Sequence, residues 1–506
     1  MSIRWKTSLP MNRTASMSIR CNNSLPMIPI PNALALSRRR FLTSASSGLG
    51  ALALASMLKR DRLLAAADSE NSPESQGQRP HFPPRAKSCI FIFLAGGTSQ
   101  VELFDPKPKL IEMTGQNLPE TFFKNERFSF IKPGQSVLMG SQFKYRRYGR
   151  CGMEMSELLP HVGSCADEIT LIRSMHTDQF DHAPAEIMFS TGSELPGRPS
   201  AGAWVHYGLG SESANLPGYV VLMTGRGPVS RSSTWGSGFL STKHAGVLFN
   251  NQGEPVLNLS NPPGITTEMQ RAQLDAVRAV NSQRYEAMLD PEINSRIAAY
   301  ELAFRMQTAA PELIDLGAER EHTQAAYGIE RAGEAGSFGR NCLLARRLVE
   351  RGVRFVSIFH RRWDQHGRLK SDLEENCRVV DQPIGALLQD LKQRGLLEDT
   401  LVVWGTEFGR TPITENKAPG PDAGRDHHRF GFSLWMAGGG AKGGQVIGKT
   451  DELGWHAIQD RVHVHDFHAT LLHLFGLDHL KLSHRLQGLD VRLTNQSGNV
   501  VDKVFA

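Results

Sequence analysis

Cys89-Ile90-Phe91-Ile92-Phe93-Leu94 is an apolar run with no polar interruption, and it leads into Gly96-Gly97. A strand with one wet face alternates apolar and polar residues, so a run without alternation belongs to a strand buried on both faces. Comparable runs stand at Phe355–Phe359 and Leu401–Trp404, with further strand candidates at Ile169–Ile172, Tyr219–Met223 and Phe432–Met436. Helical patterns separate several of them. Ile384, Leu387, Leu388 and Leu391 fall at i, i+3, i+4 and i+7, with Gly395 suited to end that helix. Cys342 to Glu350 reads as another helix, stopped by Gly352. This alternation predicts an α/β fold with a mostly parallel central sheet and helices on both faces. Residues 266–316 lack a strand candidate and carry two apolar stripes, Leu274/Val277/Val280 and Ile297/Tyr300/Leu302/Met306, which predicts a helical insertion.

In an open α/β sheet, ligands bind beyond the carboxyl ends of the strands. Acids and histidines gather there three times. Asp364 and His366 follow one strand, Glu407 and Arg410 follow the next, and Asp426-His427-His428 precedes a third. A mixed Asp, Glu and His set suits a divalent metal that polarises an ester or activates water. The plain alternatives are a Glu407–Arg410 ion pair and a solvated polar loop at 426–428. His176, Asp181 and His182 follow the strand around Ile172 and add further candidates. His463, His465, His468 and His473 are read as structural, with Asp466 as N-cap of their helix. Gly96 to Glu102 could offer backbone N–H groups to an anion. It contains neither a P-loop nor a G-x-G-x-x-G pattern, and the chain has no G-x-S-x-G elbow.

Charge and address are linked. The net charge of +6 suggests a basic protein, yet residues 1–67 hold ten Lys or Arg and one Asp, a net +9 that leaves −3 for the remainder. A nucleic-acid surface is therefore not expected. Ser37-Arg38-Arg39-Arg40-Phe41-Leu42 fits the twin-arginine export pattern. A short weakly apolar run and Ala65-Ala66-Ala67 as a cleavage site follow it. Residues 1–36 are read as an extension with Met27 as an alternative initiator, 37–67 as a twin-arginine signal peptide, and 68–85 as a linker. Residues 86–495 form the α/β domain and 496–506 a tail. Arg38 and Arg39 imply the Tat translocation machinery as a partner, and a periplasmic or extracellular location. Five cysteines remain beyond the signal, with no C-x-x-C pair, so a thiolate zinc site is not expected; Cys151 and Cys165 could pair.

Several segments together resemble one family. They are Gly96-Gly97-Thr98-Ser99, Phe104-Asp105-Pro106, Leu195-Pro196-Gly197-Arg198-Pro199-Ser200, Trp235-Gly236-Ser237-Gly238, Trp363-Asp364-Gln365-His366-Gly367, Glu407-Phe408-Gly409-Arg410 and Gly424-Arg425-Asp426-His427-His428. In this order they resemble the sulfatase-like DUF1501 family of the alkaline phosphatase superfamily, most of all its planctomycete-type members. The resemblance implies one or two divalent ions and hydrolysis of phosphate or sulfate esters, with a small molecule or polysaccharide as substrate. Zinc is favoured, with calcium, magnesium or manganese as alternatives. It assigns Asp364 and His366 to the D…H ligand pair, Glu407 to the strand-end acid, and His427 or His428 to the later histidine, with Asp426 beside them. The superfamily's Asp after the first strand is missing at Gly96-Gly97, and Glu102 and Asp105 are the nearest substitutes. The nucleophile expected near Asp181-His182-Ala183-Pro184 is also missing, and no C-x-P-x-R motif exists. Direct attack by activated water is therefore expected, with Thr98 or Ser99 as alternative nucleophiles, His182 as general acid or base and Arg410 stabilising the ester oxygens. The competing expectation is a non-catalytic metal-binding protein that recognises anionic polysaccharide at the cell envelope.

Overall fold

The computed structural model describes residues 79–122, 136–415 and 418–505. The extension, the signal with Arg38 and Arg39, and most of the linker lie outside the described residues. The fold is built on a nine-stranded sheet. Its strands are β1 (Ser88–Ala95), β2 (Ile169–His176), β3 (Tyr219–Thr224), β4 (Val247–Phe249), β5 (Phe355–Arg361), β6 (Thr400–Gly405), β7 (Phe432–Ala437), β8 (Gln445–Ile447) and β9 (Val462–His463). The order is β8-β2-β7-β6-β1-β5-β3-β4, with β9 also paired to β2. Every pairing is parallel except those of β7, which runs antiparallel to both β2 and β6. Six of the nine, β1, β2, β3, β5, β6 and β7, contain the strand candidates read from the sequence. The short β4, β8 and β9 carry no comparable pattern and form because a neighbouring strand offers an open edge.

All eight residues of β1 are buried. Successive side chains point to opposite faces. Ile90, Ile92 and Leu94 enter one core with Leu343 and Leu387, from α6 (Gly333–Glu350) and α7 (Leu369–Gln393). Phe91 and Phe93 enter the other core with Phe189, Trp204 and Phe467. These belong to α2 (His182–Thr191), α3 (Ala201–Leu209) and α8 (Val464–Leu474); the short α1 (Gln100–Leu103) follows β1. The α/β architecture with helices on both faces is as the sequence predicts. Gly395, at φ +70°, follows the last residues of α7, as expected.

The insertion is an antiparallel pair, α4 (Thr267–Met288) and α5 (Pro291–Ile314). Met306 is buried, but α4 buries no residue at all, and Val277 and Val280 are 41% and 65% exposed. The first stripe is therefore not a core stripe: α4 packs on α5 and leaves that face to solvent among the described residues. Two further expectations are corrected. Asp466 is the third residue of α8 rather than its N-cap: His463 caps the helix, and His463 N donates to Asp466 Oδ2 at 2.8 Å. Cys151 and Cys165 are separate free thiols, one exposed and one buried. The C-terminal residues pack on the domain, with Val504 fully buried and Lys442 N donating to its carbonyl. Among the described residues no helix is long and apolar enough to cross a membrane.

Candidate metal centre

The loops after β1, β5 and β6 leave the same edge of the sheet. Because β7 is antiparallel, the segment that enters it, 424–431, starts from that edge too. The approach is tight. Gly96 has φ +124°, and a Cβ there would lie 2.7 Å from Asp364 N and 2.8 Å from Trp363 backbone atoms. A Cβ on Gly424 would lie 2.0 Å from the His366 carbonyl carbon. Glycine at both places lets the Asp364–His366 loop pass between its neighbours.

Three imidazoles meet there, each with Nδ1 held from behind. His182, the first residue of α2, pairs Nδ1 with Glu407 Oε1 at 2.9 Å. His366 pairs Nδ1 with Glu415 Oε2, and His427 pairs Nδ1 with the Phe180 carbonyl at 2.7 Å. An acceptor on Nδ1 takes the proton of the neutral ring and leaves the Nε2 lone pair for a metal. The three Nε2 atoms lie 3.2, 2.8 and 3.4 Å from Asp364 Oδ1, in the order His182, His366, His427. The Nε2 atoms of His366 and His427 are 3.0 Å apart. Zinc–ligand bonds of ~2.0–2.1 Å in a tetrahedron put ligand atoms roughly 3.3 Å apart. One ligand atom from each of the four residues lies within 4.8 Å of the others, so the set fits a divalent ion.

Electrostatics agree with that geometry. Burial alone would lower the His182 pKa, but hydrogen bonds to Asp364 and Glu407 raise it to about 9. His366 is likewise raised to about 9, against its burial, by Asp364 and Glu415. Burial would raise Asp364, yet the hydrogen bonds from the three histidines and the charge of Arg410 hold it far below the usual carboxylate range. His427 is lowered, by burial first and then by the positive charge of Arg410, His182 and His366. Without a metal, then, protons on His182 and His366 carry the positive charge that the carboxylate requires.

Residues 86–505 match the family described as protein of unknown function, DUF1501. The chain belongs to that family. No curated protein matches it. Among solved structures it is similar to the lipoteichoic acid synthase LtaP from Listeria monocytogenes, at 8% identity over 82% of this chain and 76% of that one, TM-score 0.33. It is also similar to the PsFucS1 sulfatase from Pseudoalteromonas sp., at 12% identity over 79% and 68%, TM-score 0.32. The alkaline phosphatase from the Antarctic bacterium TAB5 aligns at 11% identity over 78% and 98%, TM-score 0.28.

The remaining candidates in this DUF1501 chain are placed as follows. Glu407 stands behind His182, with Oε1 also accepting Gly96 N–H at 2.7 Å, and is not one of the four residues whose ligand atoms converge. Asp426 groups with His366 and Glu415 in a second candidate cluster and accepts His427 N–H at 2.8 Å. His428 faces away: its Nε2 pairs with the Trp455 carbonyl, and burial lowers its pKa to about 4. Glu102 is consumed by the fully buried Arg425, at 2.6 Å, and by Ser141 and Gln142. Asp105 pairs with Lys107 at 3.0 Å and with Thr450. Neither replaces the missing first-strand Asp. His176 packs against His463 with the rings tilted, centroids 5.0 Å apart, and Asp181 sits exposed at the N-cap of α2. Thr98 and Ser99 are both buried, and Thr98 N donates to Thr406 Oγ1 at 3.1 Å.

Arg410 is fully buried. It donates to Gly97 O and Arg425 O at 3.0 Å each, to Gly96 O, and to Asp364 Oδ1 at 2.6 Å. It holds the loops together and is not presented to a substrate, which corrects the role expected for it. Glu415, the Phe180 carbonyl and Glu186 were not legible as site residues. Glu186 lies one turn after His182, and an i, i+4 reading from that histidine would have found it. Burial and the charge of Glu407 raise its pKa to about 7, against the backbone N–H groups of Ser230 and Val229.

Proposed function

We propose that this protein is an exported metal-dependent hydrolase of phosphate or sulfate esters. One observation carries the reading: three imidazoles, each fixed through Nδ1, aim Nε2 at the same Asp364 oxygen at the carboxyl edge of the sheet. The donor set of three nitrogens and one carboxylate favours zinc over calcium or magnesium, which prefer all-oxygen sites. His182, Asp364, His366 and His427 would hold the ion, which when bound would supply Lewis acidity toward an ester oxygen and activate water. Asp364 is 38% exposed, so the centre is open to a substrate on its side. His182, with Nδ1 held by Glu407 and Nε2 left to face Asp364 Oδ1 at 3.2 Å, would serve as a ligand in place of the general acid or base expected of it. The twin-arginine pattern at Arg38 and Arg39 supports folding and metal loading before export.

The test is metal content together with turnover on a panel of phosphate and sulfate esters, for wild type and Asp364→Ala. Bound metal and hydrolysis in the wild type, both lost in Asp364→Ala, is the expected result. A second reading, a metal-binding protein without turnover, is favoured by one feature: α2 opens on His182, where the superfamily resemblance calls for a nucleophile. Metal bound without hydrolysis across the panel would establish that second reading.

A further inference from the structure

The loop after β3, residues 225–238, runs beside the metal centre. Strand register puts Thr224, the last residue of β3, opposite His360, and Arg361 opposite Ala95 of β1, so this loop and the Asp364 loop leave adjacent strands. It is tied down on α2, whose first residue is His182. Glu186, 1% exposed, accepts Val229 N–H at 3.0 Å and Ser230 N–H at 2.7 Å. Ser230 Oγ donates to the Ala183 carbonyl at 3.0 Å. At the far end Trp235 packs on Phe359 of β5, with centroids 5.5 Å apart.

What this anchored loop shows to solvent is cationic. Arg226 and Arg231 are exposed, and neither makes an ion pair among the described residues. Arg362, from the neighbouring loop, is 61% exposed and meets Glu334 at 3.4 Å. Arg231 also holds φ at +46°, a conformation that Gly or Asn takes more cheaply, so the fold has no backbone reason for an arginine there. Guanidinium groups present donors in a planar fork that fits sulfate and phosphate oxygens. Exposed on one short loop that carries no acidic residue, Arg226 and Arg231 would raise the local concentration of anions.

We propose that the 225–238 loop is an anion subsite beside the metal centre. In it Arg226 and Arg231 take a second sulfate or phosphate group of the substrate, which is then a polyanionic polymer and not an isolated monoester. The inference rests on the metal centre as the reacting site, and its test reads binding so that the two can fail separately. Full-length mature protein is titrated with dextran sulfate, inorganic polyphosphate and neutral dextran at two salt concentrations, as wild type and as Arg226→Gln/Arg231→Gln.

The expected result is a loss of roughly tenfold or more in affinity for a polyanion, with a shallower salt dependence and no change for neutral dextran. Metal content and any turnover of nitrophenyl phosphate or nitrophenyl sulfate should stay within about twofold, because neither arginine is a metal ligand or holds one. Loss confined to dextran sulfate or to polyphosphate tells which group the subsite takes. Unchanged affinity for both polyanions, or equal loss on neutral dextran, overturns the proposal. If wild type hydrolyses no ester but its polyanion binding depends on these arginines, the hydrolase reading falls and the subsite stands.

Discussion

Glu407 is fully buried, and its Oε1 is shared between the Gly96 N–H and His182 Nδ1, so removing its charge frees an imidazole without deleting a ligand. Groups that orient a metal-bound histidine usually matter to metal affinity by ~10–100-fold. Glu407→Gln and Glu415→Gln should each weaken metal binding by about that factor, read by competition with a chromogenic chelator. Affinity equal to wild type in both would mean the carboxylates only fill space. The protons of the centre give a second expectation. His182 and His366 have folded pKa values of about 9 against an ordinary 6.5, so folding of the metal-free protein takes up protons on both. Their contribution is fully present below 6.5 and is lost as pH rises through about 9. The melting temperature of chelator-treated protein should therefore fall across that window. Zinc-loaded protein should follow a flatter course, since the ion replaces the protons. Parallel profiles with and without metal would count against the centre.

At the level of elements, α6 and α7 form one helical layer, and a buried cation ties them. Arg346 is 2% exposed and meets Glu319, Glu350 and Asp390 at 2.7, 2.5 and 3.0 Å. Arg346→Met removes the most buried cation and leaves Glu319, Glu350 and Asp390 to Arg347 and the more exposed Arg394. Losing one partner of a buried ion pair costs ~3–5 kcal/mol, and the partial exposure of these acids puts the expected loss near 3 kcal/mol. Urea unfolding midpoints would measure it. The helical pair α4–α5 predicts the opposite behaviour. Val280→Lys, on a helix that buries nothing, should change stability by less than about 0.5 kcal/mol, whereas Met306→Ala on α5 should cost ~2–5 kcal/mol. The apolar spacing of Leu274, Val277 and Val280 shows that the segment is helical, but spacing does not say whether another element covers that face.

For the molecule as a whole, the proposed function implies an order of events: folding, metal loading and export. Replacing Arg38 and Arg39 with Lys should leave the precursor in the cytoplasm, detected by fractionation, because the pathway reads the arginine pair. Normal export of that variant would point to a general secretory signal. That proposed order suits a candidate centre assembled from distant parts of the chain. Its residues come from 182, 364–366 and 427, which are brought together by the strands of the sheet.

The sequence by itself determined the layered architecture. A short uninterrupted run such as 89–94, rich in β-branched and aromatic residues and ended by Gly96-Gly97, suits a strand covered on both faces, and the spacing of Ile384, Leu387, Leu388 and Leu391 suits one helical face. It also drew attention to Asp364, His366 and His427, because acids and histidines just beyond strand ends stand out against the apolar runs beside them. Tertiary structure alone decided which of the adjacent His427 and His428 turns toward Asp364. The two-residue pairing of His427–His428 with Gly409–Arg410 sends neighbouring side chains to opposite sides. It decided that β7 runs antiparallel, that Glu102 neutralises Arg425, and that Glu415 and the Phe180 carbonyl hold the imidazoles of His366 and His427. Those are pairings between residues distant in the chain, and local periodicity records how deeply a residue is buried, not which partner it meets there.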